Sequence, residues 1–190
     1  MAFDMNGWSA LASRVNRWAL ANFGDQKGLG CLAPLLGMSE EVGELREADH
    51  GSLDYWDALG DILIFLCDYA ERAGVSWNLI GNLHDESLDT CLDLSVLVGW
   101  VSHVQLKRLQ GIRGFSEWEY YREQQALALA EVIKAIDTLS GGKALAVASK
   151  VFDSVVAKRK WHTDPEEPLT FEHAVNGYRS IAAELNYGVA

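Results

Sequence analysis

Three prolines in 190 residues leave little to interrupt a helix, so long helices are feasible throughout the chain. Cysteine is equally sparse. Cys31, Cys67 and Cys91 are odd in number, widely spaced and without a CxxC pair, which argues against a disulfide framework or a zinc knuckle and for reduced, mostly buried thiols. No run approaches the roughly twenty apolar residues of a membrane span, because Asp57, Asp61 and Asp68 break up the most hydrophobic stretch. The N-terminus lacks a basic segment followed by an apolar one, so nothing in it directs export, and the expected location is cytoplasmic. Positive charge is short as well: 16 Lys and Arg face 27 Asp and Glu, a formal net charge of −11. That balance opposes nucleic-acid binding, which depends on neutralising phosphates. It leaves room for a small anionic ligand if divalent cations bridge it to an acidic site. No GxxxxGK[ST] stretch occurs, which excludes a P-loop NTPase.

What is present is the balance of a soluble globular protein, 49% hydrophobic and 23% charged, in a length suited to one domain. The reading is a helical domain over residues 1–165 with a C-terminal tail over 166–190 packed on it. Helical periodicity dominates and no alternating strand pattern stands out. Six helices are predicted: about Trp8 to Phe23, Pro34 to Asp49, Leu53 to Ala73, Glu86 to Leu109, Ser116 to Leu139 and Lys143 to Lys160. A short further one is predicted near Phe171 to Leu185. Gly24 to Gly30 reads as a loop, Gly51 and Gly74 as helix ends, and Ser116 with Glu119 as a capping box. Helices of this length on short loops predict an all-α, antiparallel bundle.

The second and third predicted helices carry the chemistry. At about 100° per residue, Leu35, Met38, Val42 and Leu45 share a core face, and Glu40, Glu41 and Glu44 occupy an adjoining arc of about 100°. Carboxylates so crowded repel one another, so something positive should compensate them. The third helix is apolar nearly all round, through Leu59, Ile62, Leu63, Ile64, Phe65, Leu66 and Tyr69. Its exceptions, Asp57, Asp61 and Asp68, fall within about 40° of one another. A buried carboxylate needs partners, solvent or metal. The short connection at Gly51 makes the two helices antiparallel neighbours and sets the two acidic patches face to face. Oxygen ligands of this kind suit Mg²⁺ or Mn²⁺. Acidic residues on a helix also read as a solvated face, and Asp68 as an exposed residue near a helix end.

These residues resemble the MazG-like, all-α nucleotide pyrophosphohydrolase superfamily, which includes dimeric dUTPases and dCTPases. Its pattern is Glu-x-x-Glu on one helix and Glu-x-x-Asp on the next. Glu41-Val42-Gly43-Glu44 matches the first half, and Ala58-Leu59-Gly60-Asp61, running into Ile62-Leu63-Ile64-Phe65, is similar to the second. Leu36 to Leu45 resembles the phage and bacterial members in particular, which implies the bacterial cytoplasm or that of a phage-infected cell. The match covers about residues 35 to 75. It implies Mg²⁺ or Mn²⁺ held by Glu41, Glu44 and Asp61, with Glu40 as ligand or water-activating base. Ala58 stands where many members have a fourth carboxylate, and Asp57, one turn before Asp61, is the candidate replacement.

Two further segments extend the resemblance. Trp100, His103, Lys107 and Gln110 share a helix face leading to Gly111-Ile112-Arg113-Gly114, which makes His103, Lys107 and Arg113 candidates for substrate contact. Lys150 through Lys158-Arg159-Lys160-Trp161 resembles the family's basic C-terminal helix, with Asp153 in place of an asparagine. Lys150, Lys158 and Arg159 are then candidates to stabilise a departing pyrophosphate, although basic residues there also suit a helix C-terminus. Trp56 is a candidate to stack on the base, or a core residue. The reaction implied is hydrolysis of a (deoxy)nucleoside triphosphate to monophosphate and pyrophosphate, serving deoxynucleotide pool control, by a homodimer or tetramer. Three alternatives stand beside it: an all-α dUTPase or dCTPase, a di-iron carboxylate bundle, and a non-catalytic helical interaction protein. The di-iron reading requires two Glu-x-x-His motifs and finds only Glu47-Ala48-Asp49-His50.

Overall fold

The apolar segment around Asp61 folds as the central helix, α3 (Leu53–Ala73). Ser52 caps it, its hydroxyl accepting from the Tyr55 N–H at 3.1 Å, and Gly74 closes it in the left-handed conformation at φ 66°. Of its 21 residues 15 are buried, so other elements must enclose it on most sides. The computed structural model describes residues 3–23, 30–86, 93–112, 118–154 and 156–158. Around α3 lie α1 (Met5–Phe23), α2 (Leu32–Glu47) and α7 (Ala144–Ser154). Beyond them, α4 (Trp77–Glu86) and α5 (Leu94–Leu109) pack on α6 (Trp118–Leu139), and a 3₁₀ turn, Val156–Lys158, follows α7. The described residues contain helices and no strand, so the fold class is all-α.

Four differences from the sequence reading exceed two residues, and the first three have a local reason. The first helix starts at Met5 because the Asp4 carboxylate accepts from the Gly7 N–H at 2.9 Å. The helix α4 was not predicted; it is short and follows the stop at Gly74, yet Trp77, Ile80 and His84 are buried at helical spacing. The helix predicted from Glu86 begins instead at Leu94, where the Asp93 side chain accepts from the Ser95 N–H at 3.0 Å. The last one ends at Ser154 rather than Lys160. The Ser116 cap, Cys91, and the tail over 166–190 with its helix near Phe171 lie outside the described residues.

One buried polar network ties three helices together. The Tyr69 hydroxyl on α3 donates to Gln105 Oε1 on α5 at 2.9 Å and accepts from Gln125 Nε2 on α6 at 2.6 Å, while the Tyr121 hydroxyl donates to the same Gln105 oxygen at 2.7 Å. Burial, first of all, pushes the Tyr69 phenol far above its ordinary range. In the unfolded chain it ionises near pH ~10, so its contribution is intact below that pH and is lost as pH rises beyond it. Urea midpoints should therefore hold between pH 8 and 9 and fall above pH ~10, by about 1.4 kcal/mol per pH unit for each such tyrosine. Tyr69→Phe should flatten that slope; an unchanged slope would mean that the phenol ionises as freely folded as unfolded.

Candidate functional site

Two glycines set how closely the helices approach α3. A Cβ at Gly37 would sit 2.6 Å from the Phe65 ring, so α2 rests on α3 at this point. Antiparallel helices advance in opposite directions at about 1.5 Å per residue. The step from Gly37 to Glu41 therefore moves α3 from Phe65 back to Asp61, and the next turn sets Leu45 level with Asp57. On the other flank, a Cβ at Gly60 would lie 2.4 Å from Val151 Cγ2, which fixes α7 against α3 immediately beside Asp61.

Gly60 and Phe65 are about 140° apart around α3, and Asp57 and Asp61 fall inside that arc. The acidic stripe therefore occupies the groove between α2 and α7. Its members differ in exposure: Asp61 is 8% exposed, Glu41 and Asp57 are half-buried, and Glu40 and Glu44 face solvent. Lys150, half-buried, precedes Val151 on α7 and lies about 160° around that helix from Phe152, whose ring meets Trp18 of α1. Glu41, Asp57, Asp61 and Lys150 all engage other groups of the fold. The donor set is of hard carboxylate oxygens, which fits Mg²⁺ or Mn²⁺ by chemistry. Among the described residues no three His, Cys, Asp or Glu side chains gather closely enough to enclose a cation, so the carboxylates are spread along the groove rather than focused on one point.

Asp68 belongs to the same stripe but not to the same chemistry. It is neither an exposed residue nor placed as a ligand: Asn16 Nδ2 on α1 donates to one of its oxygens at 2.8 Å, and Arg72 Nε to the other at 2.8 Å. The stripe is thus divided. Its upper part is closed by α1, and its lower part, at Asp57 and Asp61, lies along α2 at the level of Glu41. Asp153, in place of the anticipated asparagine, forms an ion pair with Arg14, whose guanidinium also lies 5.2 Å from the Phe152 ring centre.

Three of the anticipated substrate contacts are placed elsewhere. Trp56 is 1% exposed and meets Tyr55 edge-on at 5.3 Å in the core, which leaves no ring face for a base. His103, exposed, and Lys107, half-buried, are on α5, across α2 from the carboxylates. Arg46 marks that opposite side, about 140° around α2 from Glu41, where it contacts Asp93 at 3.4 Å and Ser95 at 2.9 Å beside the start of α5. Lys158 is exposed on the 3₁₀ turn, and Arg113 and Arg159 lie outside the described residues.

A cavity of about 220 Å³ opens one turn along α3 from Asp61, walled by Trp18, Phe23, Pro34, Phe65, Asp68 and Arg72. Sequence reasoning missed it because its aromatic walls come from α1 and α3, far apart in the chain. A larger cavity, about 360 Å³, lies at the far end of the bundle beside Phe3, Trp8, His84 and Lys143, away from the carboxylates. No protein-family model, curated protein or solved structure matches the chain.

Proposed function

We propose that the protein is a metal-dependent nucleotide pyrophosphohydrolase that cleaves (deoxy)nucleoside triphosphates to monophosphate and pyrophosphate, in deoxynucleotide pool control. The observation that carries the proposal is Asp61. It is a buried carboxylate in an apolar helix, level with Glu41 and flanked by a lysine-bearing helix.

Glu41 and Asp61 would hold Mg²⁺ or Mn²⁺, an ion that keeps several waters and needs only one or two carboxylates, with Glu44 and Asp57 as further candidate ligands along the groove and Asp57 in the part that Ala58 cannot take. The bound cation supplies neutralisation of phosphate oxygens and a lowered pKa for the attacking water. Glu40, at the solvent edge, is placed to accept the water's proton. Lys150, Lys158 or Arg159 would bring positive charge to the departing pyrophosphate. The base finds its place against Trp18, Phe23 and Phe65 in the 220 Å³ cavity rather than on Trp56. An all-α dUTPase or dCTPase would use the same groove with a narrower base pocket.

Incubation with Mg²⁺ or Mn²⁺ and each canonical NTP and dNTP, with pyrophosphate and orthophosphate read separately, tests the reading. Pyrophosphate release is expected with at least one nucleotide. Its absence with all of them would overturn the proposal.

A further inference from the structure

The helices after α1 form two matching sets. The helices α2, α3 and α4 have 16, 21 and 10 residues, and α5, α6 and α7 have 16, 22 and 11. In α2 and α5 the same residue stands at matched positions five times: Leu32 and Leu94, Leu35 and Leu97, Gly37 and Gly99, Val42 and Val104, Arg46 and Arg108. The long helices end alike, with Gly74 at φ 66° after α3 and Gly141 at φ 64° after α6. Aligned on those glycines, five of the eight fully buried positions of α3 meet fully buried positions of α6, Leu59 with Ala126, Ile62 with Leu129, Leu63 with Ala130, Leu66 with Ile133 and Tyr69 with Ile136, while Trp56, Cys67 and Ala70 fall on Glu123, Lys134 and Asp137.

The packing has the same symmetry. Like meets like where α2 touches α5 and α3 touches α6. The short third helices cross over: α4 packs chiefly on α6 rather than on the α3 that precedes it, and α7 on α3 rather than on α6. A reciprocal exchange of this kind is what a two-fold axis generates between two copies of one unit. Helix α1 has no counterpart among the described residues.

We infer that the chain is an internally paired molecule, in which two copies of one three-helix unit exchange their third helices and together build a single composite site. The first unit supplies Glu40, Glu41 and Glu44 from α2 and Asp57 and Asp61 from α3. The second supplies the wall formed by α7, which meets α3 at Gly60 and Val151 beside Asp61. At the equivalent positions of the second unit stand Ser102, His103 and Leu106 on α5, and Gln124 and Ala128 on α6, so the symmetry-related site has no matching carboxylate set. One centre per chain follows. The dimer or tetramer implied by the family resemblance is then not needed to complete the site, because the chain supplies both halves. The chemistry assigned to the centre rests on the function proposed above, whereas the pairing itself does not.

A disulfide across the crossing tests the pairing without reference to activity. A Cβ at Gly60 would be 2.7 Å from the Val151 Cβ, so opening by about 1 Å reaches the ~3.8 Å of a disulfide. The full chain carrying Gly60→Cys and Val151→Cys, with Cys31, Cys67 and Cys91 replaced by Ala, is oxidised with copper-phenanthroline and run without reductant. The expected result is a monomer band of increased mobility and full loss of titratable thiol. Disulfide-linked dimers would show that α7 is exchanged between chains, and retained free thiols that α7 does not cross α3; either overturns the inference. To separate strain at the engineered cysteines from a wrong topology, the parent chain is also treated with a carbodiimide, which joins lysine amines to carboxylates, because the first unit has acidic residues and no lysine, and its peptides are mapped. Links from Lys150 or Lys143 to the first unit should then come from the monomer fraction only.

Discussion

Asp61→Asn is expected to lower pyrophosphate release by about 10³-fold while leaving the protein folded. The amide keeps the shape and volume of the carboxylate and removes its charge. Melting of the metal-free variant checks that the fold is retained. The loss should appear on adding cation. A ligand at one hundred times its Kd stabilises a folded protein by about 2.7 kcal/mol, and the variant should forfeit most of that gain with Mn²⁺. Full turnover in the variant would place the chemistry outside the groove.

Asp68→Ala, seven residues further along the same stripe, should do the opposite. Both Asp68 oxygens are engaged, by Asn16 and Arg72, and the Asp68 and Arg72 side chains are 10% and 8% exposed. Removing the carboxylate leaves the Arg72 guanidinium buried without its counter-charge, a change that costs about 3–5 kcal/mol. Urea unfolding should show that loss, and the folded fraction should still bind Mn²⁺. Replacing Asp68 and Arg72 together by Leu and Met should recover much of the stability, because the stranded charge is then gone. A change under about 1 kcal/mol for Asp68→Ala would mean that the pair is solvated rather than structural.

The contrast between these neighbouring aspartates marks how far the sequence could be read. Periodicity placed Leu35, Met38, Val42 and Leu45 on a core face; the first three are buried, and Leu45 packs half-buried against the core. The short connection at Gly51 was enough to make α2 and α3 antiparallel, and α3 kept its predicted span. A helical wheel assigns direction about one axis but not what lies in that direction. Asp57, Asp61 and Asp68 looked alike because the wheel carries no trace of Asn16, which approaches from 52 residues away. His103 and Lys107 looked like site residues for the same reason, since nothing local says that α5 lies on the far side of α2. Trp56 followed the ordinary behaviour of a large aromatic in an apolar helix. Gly60 was an overlooked local signal: a glycine inside a long apolar helix costs stability and is retained where another element comes close, here the Val151 side chain of α7.

The repeat of α2–α4 in α5–α7 escaped the sequence because five scattered identities between α2 and α5 do not stand out without the matching fold. The second set carries Ser102, His103 and Leu106 where the first carries its glutamates, so the most recognisable pattern occurs once. Only the matching lengths, the paired left-handed glycines and the crossed third helices bring the two halves together.

The central claim is that Glu41 and Asp61 form one cation-binding groove. Titration of Mn²⁺ followed by electron paramagnetic resonance tests it most directly, on the parent chain, Glu41→Gln, Asp61→Asn and Glu47→Gln, the last an exposed control on the same helix. The account predicts saturable binding in the parent and in Glu47→Gln, and binding weakened at least ~10-fold in the other two variants. Equal binding by all four chains, or none by the parent, would contradict it.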